Sequence, residues 1–264
     1  MLELYASFPQ TMILVSLFAL VLGLLVGSFL NVCIYRIPLG KTIVKGRSYC
    51  PSCGALIRWY QNIPVVSFLV LGGRCASCKT RISPIYPVVE LITGLLFLAA
   101  FLKIGPTVDF LILAILTAVL IVISGIDLAH RIIPDGLVLF LLGLGVIQLL
   151  YQVLVLDTRW YVYVIGFFAA SVPLLLLGLL YPDGMGGGDI KLMAAAGLIL
   201  GYKLILLALF LGAIYASLYS LFLIVSRKGG LKSEIPFGPY LSAGIFTAAL
   251  WGDDVLCWYL SIFS

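Results

Sequence analysis

The chain has 264 residues, of which 63% are hydrophobic and only 10% charged, where a soluble domain carries about 25% charged residues. Its mean hydropathy of +1.21 leaves too few polar side chains to cover a water-facing surface. A soluble enzyme, a disordered chain and a nucleic-acid-binding domain are thereby excluded. A membrane β-barrel is excluded as well, because its strands alternate over about ten residues and the apolar runs here are continuous and longer.

In chain order, Met1 to Gln10 carry Glu3 and no Lys or Arg, so no cleavable signal peptide is expected. A first span follows at 12–34, long enough at roughly 20 apolar residues to cross a bilayer. Residues 35–84 form a polar loop, and eight of the sixteen Lys and Arg lie between Arg36 and Arg81. Basic loops stay cytoplasmic, so the amino terminus is expected outside. Further spans are predicted at 85–104, 108–127, 133–155, 160–181, 189–201, 203–226 and 237–262. They are punctuated by Gly105-Pro106, Ile133-Pro134, Tyr181-Pro182-Asp183-Gly184 and Pro236-Phe237-Gly238-Pro239. The span at 189–201 is short. Trp160, Trp251 and Trp258 fall near the outer side, where indoles favour headgroups.

The loop holds two Cys-x-x-Cys knuckles, Cys50/Cys53 and Cys75/Cys78, with twenty-one residues between them. That spacing suits a tetrahedral four-thiolate zinc site, with no ligand position left for water and hence a structural role. Two disulfides are the alternative, and a cytoplasmic loop disfavours them. The basic neighbours Arg47, Arg74, Lys79 and Arg81 favour thiolates. Trp59, between the knuckles, is expected to form the loop's core. Cys33 and Cys257 lie in apolar helices and read as small hydrophobes.

Ionisable groups inside spans mark function. Asp127 ends the third span and Asp189 opens the sixth after Gly186-Gly187-Gly188, which places both at the inner face. Two carboxylates in a partly desolvated site share a proton, so one can activate water while the other donates to a carbonyl oxygen. The glycines would allow close approach and φ > 0. Each aspartate taken alone fits a helix cap equally well, and Asp135 could cap the fourth span after Pro134. His130, the sole histidine, reads as an interfacial anchor.

At these residues the chain resembles the type IV prepilin peptidase family. The resemblance runs through Gly27-Ser28-Phe29-Leu30-Asn31-Val32, the knuckle tetrad with Trp59-Tyr60-Gln61-Asn62-Ile63-Pro64, and Tyr86-Pro87-Val88-Val89-Glu90. It continues through Asp127 with Ile133-Pro134-Asp135, Gly186-Gly187-Gly188-Asp189 with Ile190-Lys191, and Pro236-Phe237-Gly238-Pro239. Ile85 departs from the pattern, which has a basic residue before the Tyr-Pro pair. The resemblance implies a GxGD-type aspartic endopeptidase of the bacterial inner membrane, with its active site on the cytoplasmic side. It implies cleavage of the basic leader from type IV prepilins and prepilin-like pseudopilins, including those of type II secretion. It also implies methylation of the new amino terminus with S-adenosyl-L-methionine as donor. Asp127 and Asp189 become the catalytic pair and Cys50, Cys53, Cys75 and Cys78 the zinc ligands. Gly27 and Asn31, with Gly186, Gly187, Gly188, Asp135 and Pro236, become candidates for holding substrate or methyl donor. Asp183 and Glu234 join Asp135 as candidate partners of a basic leader.

The expected fold is all-α, a polytopic membrane bundle of about eight helices with a small zinc-binding cytoplasmic loop domain. Its divisions are a first helix at 12–34, the loop domain at 35–84 and a peptidase core at 85–262. The lipid bilayer and prepilin-like substrates are the expected partners, and nucleic acid is not. A peptidase without methyltransferase activity is the nearest alternative. A proton-coupled transporter with a zinc-stabilised loop would need acidic groups at mid-membrane and internal repeats, and a membrane scaffold would use the loop only for docking.

Overall fold

The computed structural model describes residues 9–44, 48–181, 185–226 and 235–262, with side chains from Met12 onward. Arg47, Asp183 and Glu234, and most of the predicted turn at Pro182-Asp183-Gly184, lie outside the described residues. No β-strand occurs among the described residues; two isolated bridges, Tyr49 with Leu56 and Arg74 with Arg81, sit in the cysteine loop.

The helices are α1 (Pro9–Arg36), α2 (Val66–Val70), α3 (Ile85–Ile104), α4 (Val108–His130), α5 (Asp135–Leu154), α6 (Tyr161–Leu180), α7 (Gly187–Leu200), α8 (Tyr202–Val225) and α9 (Gly238–Ser261). Apart from the short α2, these are the eight predicted segments with small changes at their ends. Six of them, α1, α3, α4, α5, α6 and α8, are long and apolar enough to cross a membrane, and the chain is a multi-pass membrane protein. Proline and glycine account for several boundaries. Pro134 is the N-cap of α5, so that helix starts at Asp135 rather than Ile133. Gly201, at φ 79°, ends α7 and opens α8, and glycine reaches this backbone region without a Cβ clash.

The chain forms two compact units, Met1–Val122 and Ile123–Ser264. In the first, α1 and α3 pack through small residues. A Cβ on Gly23 would lie 2.8 Å from Gly94 Cα, and one on Gly27 2.7 Å from Glu90 Cα. Between lipid-exposed helices association rests on such close approach, because the bilayer supplies no hydrophobic driving force between them. Phe101 and Phe110 meet edge to face with ring centroids 5.6 Å apart.

In the second unit the short α7 is the buried element. Leu192, Met193, Ala195 and Ala196 are fully enclosed, and α7 packs against α5, α6, α8 and α9. Its small residues make this possible, since a Cβ on Gly166 of α6 or on Gly197 of α7 would collide with the other's carbonyl. Gly244 of α9 packs in the same way on Ala208 and Gly212 of α8. Fourteen residues give α7 a length of about 21 Å, short of the ~30 Å hydrocarbon core. Its first residue, Gly187, is exposed, and burial begins with Asp189 in the first turn.

Candidate active site and candidate metal centre

Asp127 occupies the last turn of α4 and Asp189 the first turn of α7. Their exposures are 6% and 9%, and the two carboxylates are close enough to interact electrostatically. The pair expected from sequence is therefore brought together within one compact unit. The Gly186 amide donates to the Asp189 carboxylate, and the Asp189 amide donates to the Gly186 carbonyl at 3.1 Å. Gly186 is the N-cap of α7, so Asp189 caps the helix in the manner of the third residue of a capping box. The cap reading holds for this residue, and its carboxylate also lies within electrostatic reach of Asp127.

The glycine run serves space, not backbone handedness. None of Gly186, Gly187 and Gly188 has positive φ, contrary to one expectation. A Cβ on Gly188 would lie 2.8 Å from Ile133 Cβ, and one on Gly186 3.1 Å from Asp189 Oδ2, while Gly187 meets nothing.

Asp127 has a partner that sequence reasoning passed over. The Gly238 amide donates to its Oδ2 at 2.9 Å, and Arg131 lies within Coulombic reach. Gly238 is the first residue of α9, with Pro239 next. Its amide is one of the donors a helix start leaves unsatisfied, and the helix dipole there favours a negative group. A Cβ on Gly238 would sit 2.8 Å from Oδ2, so the contact requires glycine. Pro236, the candidate named from that motif, is half-buried two residues earlier, and it is Gly238 that reaches the carboxylate. The signal was a glycine held between two prolines ahead of an apolar run. Gly238→Ala is expected to slow any reaction at Asp127 between tenfold and about a hundredfold, with the protein still inserted and folded. A wild-type rate in that variant, measured on the same substrate, would show that the amide contact is dispensable.

Asp135 is exposed and pairs with Lys191 at 2.7 Å. Its carboxylate makes no cap to α5, whose N-cap is Pro134. An exposed pair of this kind adds little stability. His130 ends α4 in an exposed position.

In the loop, the Sγ atoms of Cys50, Cys53, Cys75 and Cys78 all lie within 4.8 Å of one another, and Cys50 and Cys78 Sγ are 3.9 Å apart. A tetrahedron with arms of about 2.3 Å has edges near 3.8 Å, so the donor set fits a zinc ion. All six cysteines are free thiols. The two knuckles share one geometry. The Cys50 amide donates to the Ala55 carbonyl and the Gly54 amide to the Cys50 carbonyl; the Cys75 amide donates to Thr80 and the Lys79 amide to Cys75. Gly54 and Lys79, each just after the second cysteine of its knuckle, have φ of 70° and 61°. The Thr80 hydroxyl and amide hold the Cys78 thiol down, to about 6. The amides of Cys53 and Ser52 lower that of Cys50. Both effects favour thiolates at these two positions, whereas the neighbouring Cys78 and Cys50 thiols push Cys53 up to about 11. Trp59 is not the loop's core, since it is 82% exposed and rests edge-on against Tyr60.

Gly27 belongs to the α1–α3 seam described above. Asn31 is buried, and its side-chain amide donates to the Tyr86 carbonyl at 3.0 Å. Glu90, quoted only as part of a motif, is 9% exposed, and one of its oxygens accepts from the Val65 amide at 2.8 Å. Ile85 is the exposed first residue of α3.

Comparison with known proteins gives a consistent picture. Residues 21–104 match the profile of the bacterial peptidase A24 N-terminal domain, and residues 114–221 that of the type IV leader peptidase family. A prepilin leader peptidase/N-methyltransferase of Bacillus subtilis (strain 168) is 33% identical over 92% of this chain and 96% of its own length. One of Pseudomonas aeruginosa is 36% identical, with 98% and 97% covered. One of Legionella pneumophila is 35% identical, with 97% of each covered. No solved structure matches the chain.

Proposed function

This chain belongs to the type IV leader peptidase family, and we propose that it removes the leader from type IV prepilins and pseudopilins and N-methylates the exposed amino terminus. The observation that carries the peptidase half is the buried pair Asp127 and Asp189 in one unit. In the proposed reaction one carboxylate takes a proton from water, and the water oxygen bonds to the scissile carbonyl carbon. The partner, protonated at that point, gives its proton to the carbonyl oxygen. Collapse of the tetrahedral adduct breaks the C–N bond; the departing amine takes the proton held by the first carboxylate, and the proton on the former carbonyl oxygen returns to the partner as the C=O bond re-forms. The Gly238 amide keeps Asp127 oriented, and the Gly186 amide does the same for Asp189.

The loop's cysteines are proposed to hold one structural zinc. S-adenosyl-L-methionine, when bound, supplies an electrophilic methyl group for the freed amine. The proposed setting is the bacterial inner membrane with the aspartates toward the cytoplasm, which the basic loop supports through the positive-inside rule. The division of labour proposed is an anchoring first helix at 12–34, the zinc loop at 35–84 and the peptidase core at 85–262. A prepilin fits such a site because its basic leader is cytoplasmic and its apolar helix lies in the bilayer.

The test is co-expression with a prepilin. The leader is expected to be lost, seen as faster migration on a gel. Mass spectrometry of the product's amino terminus is expected to show a gain of about 14 Da, the CH₂ increment of methylation. An unprocessed prepilin in the presence of folded, membrane-inserted enzyme would overturn the peptidase assignment. A processed product without the increment would overturn the methyltransferase half.

A further inference from the structure

We propose that the methyl donor is held in the cavity enclosed by α1, α3 and the cysteine loop, with its sulfonium against Glu90; this rests on the methyltransferase half of the function above. The cavity measures about 420 Å³, within the roughly 300–1,000 Å³ of small-molecule sites. It lies wholly within the first compact unit, and Ser28, Asn31, Tyr35, Arg81, Tyr86 and Glu90 are among the residues of its wall.

Glu90 is the informative residue. It is more than nine-tenths buried, and its partners among the described residues are the Val65 amide and the Ser28 hydroxyl, both neutral. A buried carboxylate without a cation is costly, and enclosed charges are ordinarily paired. A cationic ligand in the cavity completes that pairing. Val65 adds an independent observation. This β-branched residue is held at φ 59° and ψ −49°, a region such side chains avoid. Strain of this kind persists where the surroundings enforce it, commonly at ligand sites. Here it turns the Val65 amide onto Glu90.

The other walls match the remaining parts of the molecule. S-adenosylmethionine has a sulfonium, a flat adenine and an amino-acid carboxylate. Tyr35 and Tyr86 offer ring faces to the base or the cation. Arg81 offers a guanidinium to the carboxylate. Asn31 is fixed in the wall by its bond to the Tyr86 carbonyl, a polar group of defined orientation. Gly27 is not part of the wall; its role is to let α1 approach α3 at Glu90 and so set the depth of the cavity.

The experiment uses the purified full-length enzyme in detergent. Affinities are measured by calorimetry for S-adenosylmethionine, for the ammonium analogue sinefungin and for the neutral thioether S-adenosylhomocysteine. Glu90→Gln, whose side-chain carbonyl can still accept from Val65, is expected to weaken the two cations by about tenfold or more. The thioether is expected to change by less than about twofold. Separately, ultraviolet cross-linking of methyl-tritiated donor to the wild-type enzyme is expected to label peptides between residues 28 and 90. That arm does not depend on the variant folding. Equal weakening of all three ligands, or of none, overturns the placement of the sulfonium at Glu90. Label recovered from residues 123–264 overturns the cavity as the donor site while leaving the methyltransferase reading intact. A wild-type enzyme that binds no donor removes that reading and this proposal together.

Discussion

Asp127→Asn and Asp189→Asn are each expected to lower prepilin cleavage by roughly 10³-fold or more, the scale of losing a positioned general acid or base. Each carboxylate depends on the other, one to take a proton and one to give it, so neither retains a function alone. The double variant is therefore expected to be no slower than either single one, since groups acting as a unit are not additive. Asn keeps the shape of Asp and can still accept from Gly238 or Gly186 through its carbonyl, so insertion and packing are expected to survive. The measurement is initial rate of leader loss on a purified prepilin, with Asp135→Asn as control because its carboxylate is exposed and paired with Lys191. A single Asn variant within tenfold of wild type would falsify the dyad.

The other large effect is expected from the metal. One zinc per chain should be found by elemental analysis of the reduced protein, and Cys50→Ser with Cys78→Ser should remove it. Structural zinc contributes about 10–16 kcal/mol to folding in small metal-bound domains. The loop has little to set against that loss: Trp59, Val66, Leu69 and Val70 are exposed, and Cys50 and Ser67 are among its few buried side chains. Limited proteolysis is expected to cut between residues 35 and 84 far faster in the metal-free protein. Full zinc occupancy in the double variant, or an equally resistant loop without metal, would count against a structural site.

Much of this architecture was legible because membrane spans are long apolar runs with glycine and proline at their ends. The prediction of 85–104 matches α3 at both ends, and Gly201 fell where α7 gives way to α8. α4 runs on to His130 instead of stopping at Asp127; an acidic residue looks like an end only until its buried partner is known. The same holds for the site. Asp127 and Asp189 could be paired by counting crossings, and the cysteines by spacing, since both signals are carried by residue type. The Gly238 amide could not, because a backbone donor has no signature in the residue that bears it. Glu90 was passed over for a related reason: its burial depends on a loop folding back so that Val65, twenty-five residues earlier, can meet it. Trp59 was misplaced because large aromatic residues usually form cores, whereas here the indole is exposed and rests only edge-on against Tyr60.

The bond between Asp127 and Gly238 spans 111 residues, and its donor stands at the start of the last helix. At ribosomal rates of about 5–20 residues per second, several seconds of synthesis separate the two ends of this one contact. A nascent chain thus carries both aspartates well before it carries the amide that orients one of them. The oriented form of the Asp127 carboxylate is therefore complete only once the start of the last helix has been made.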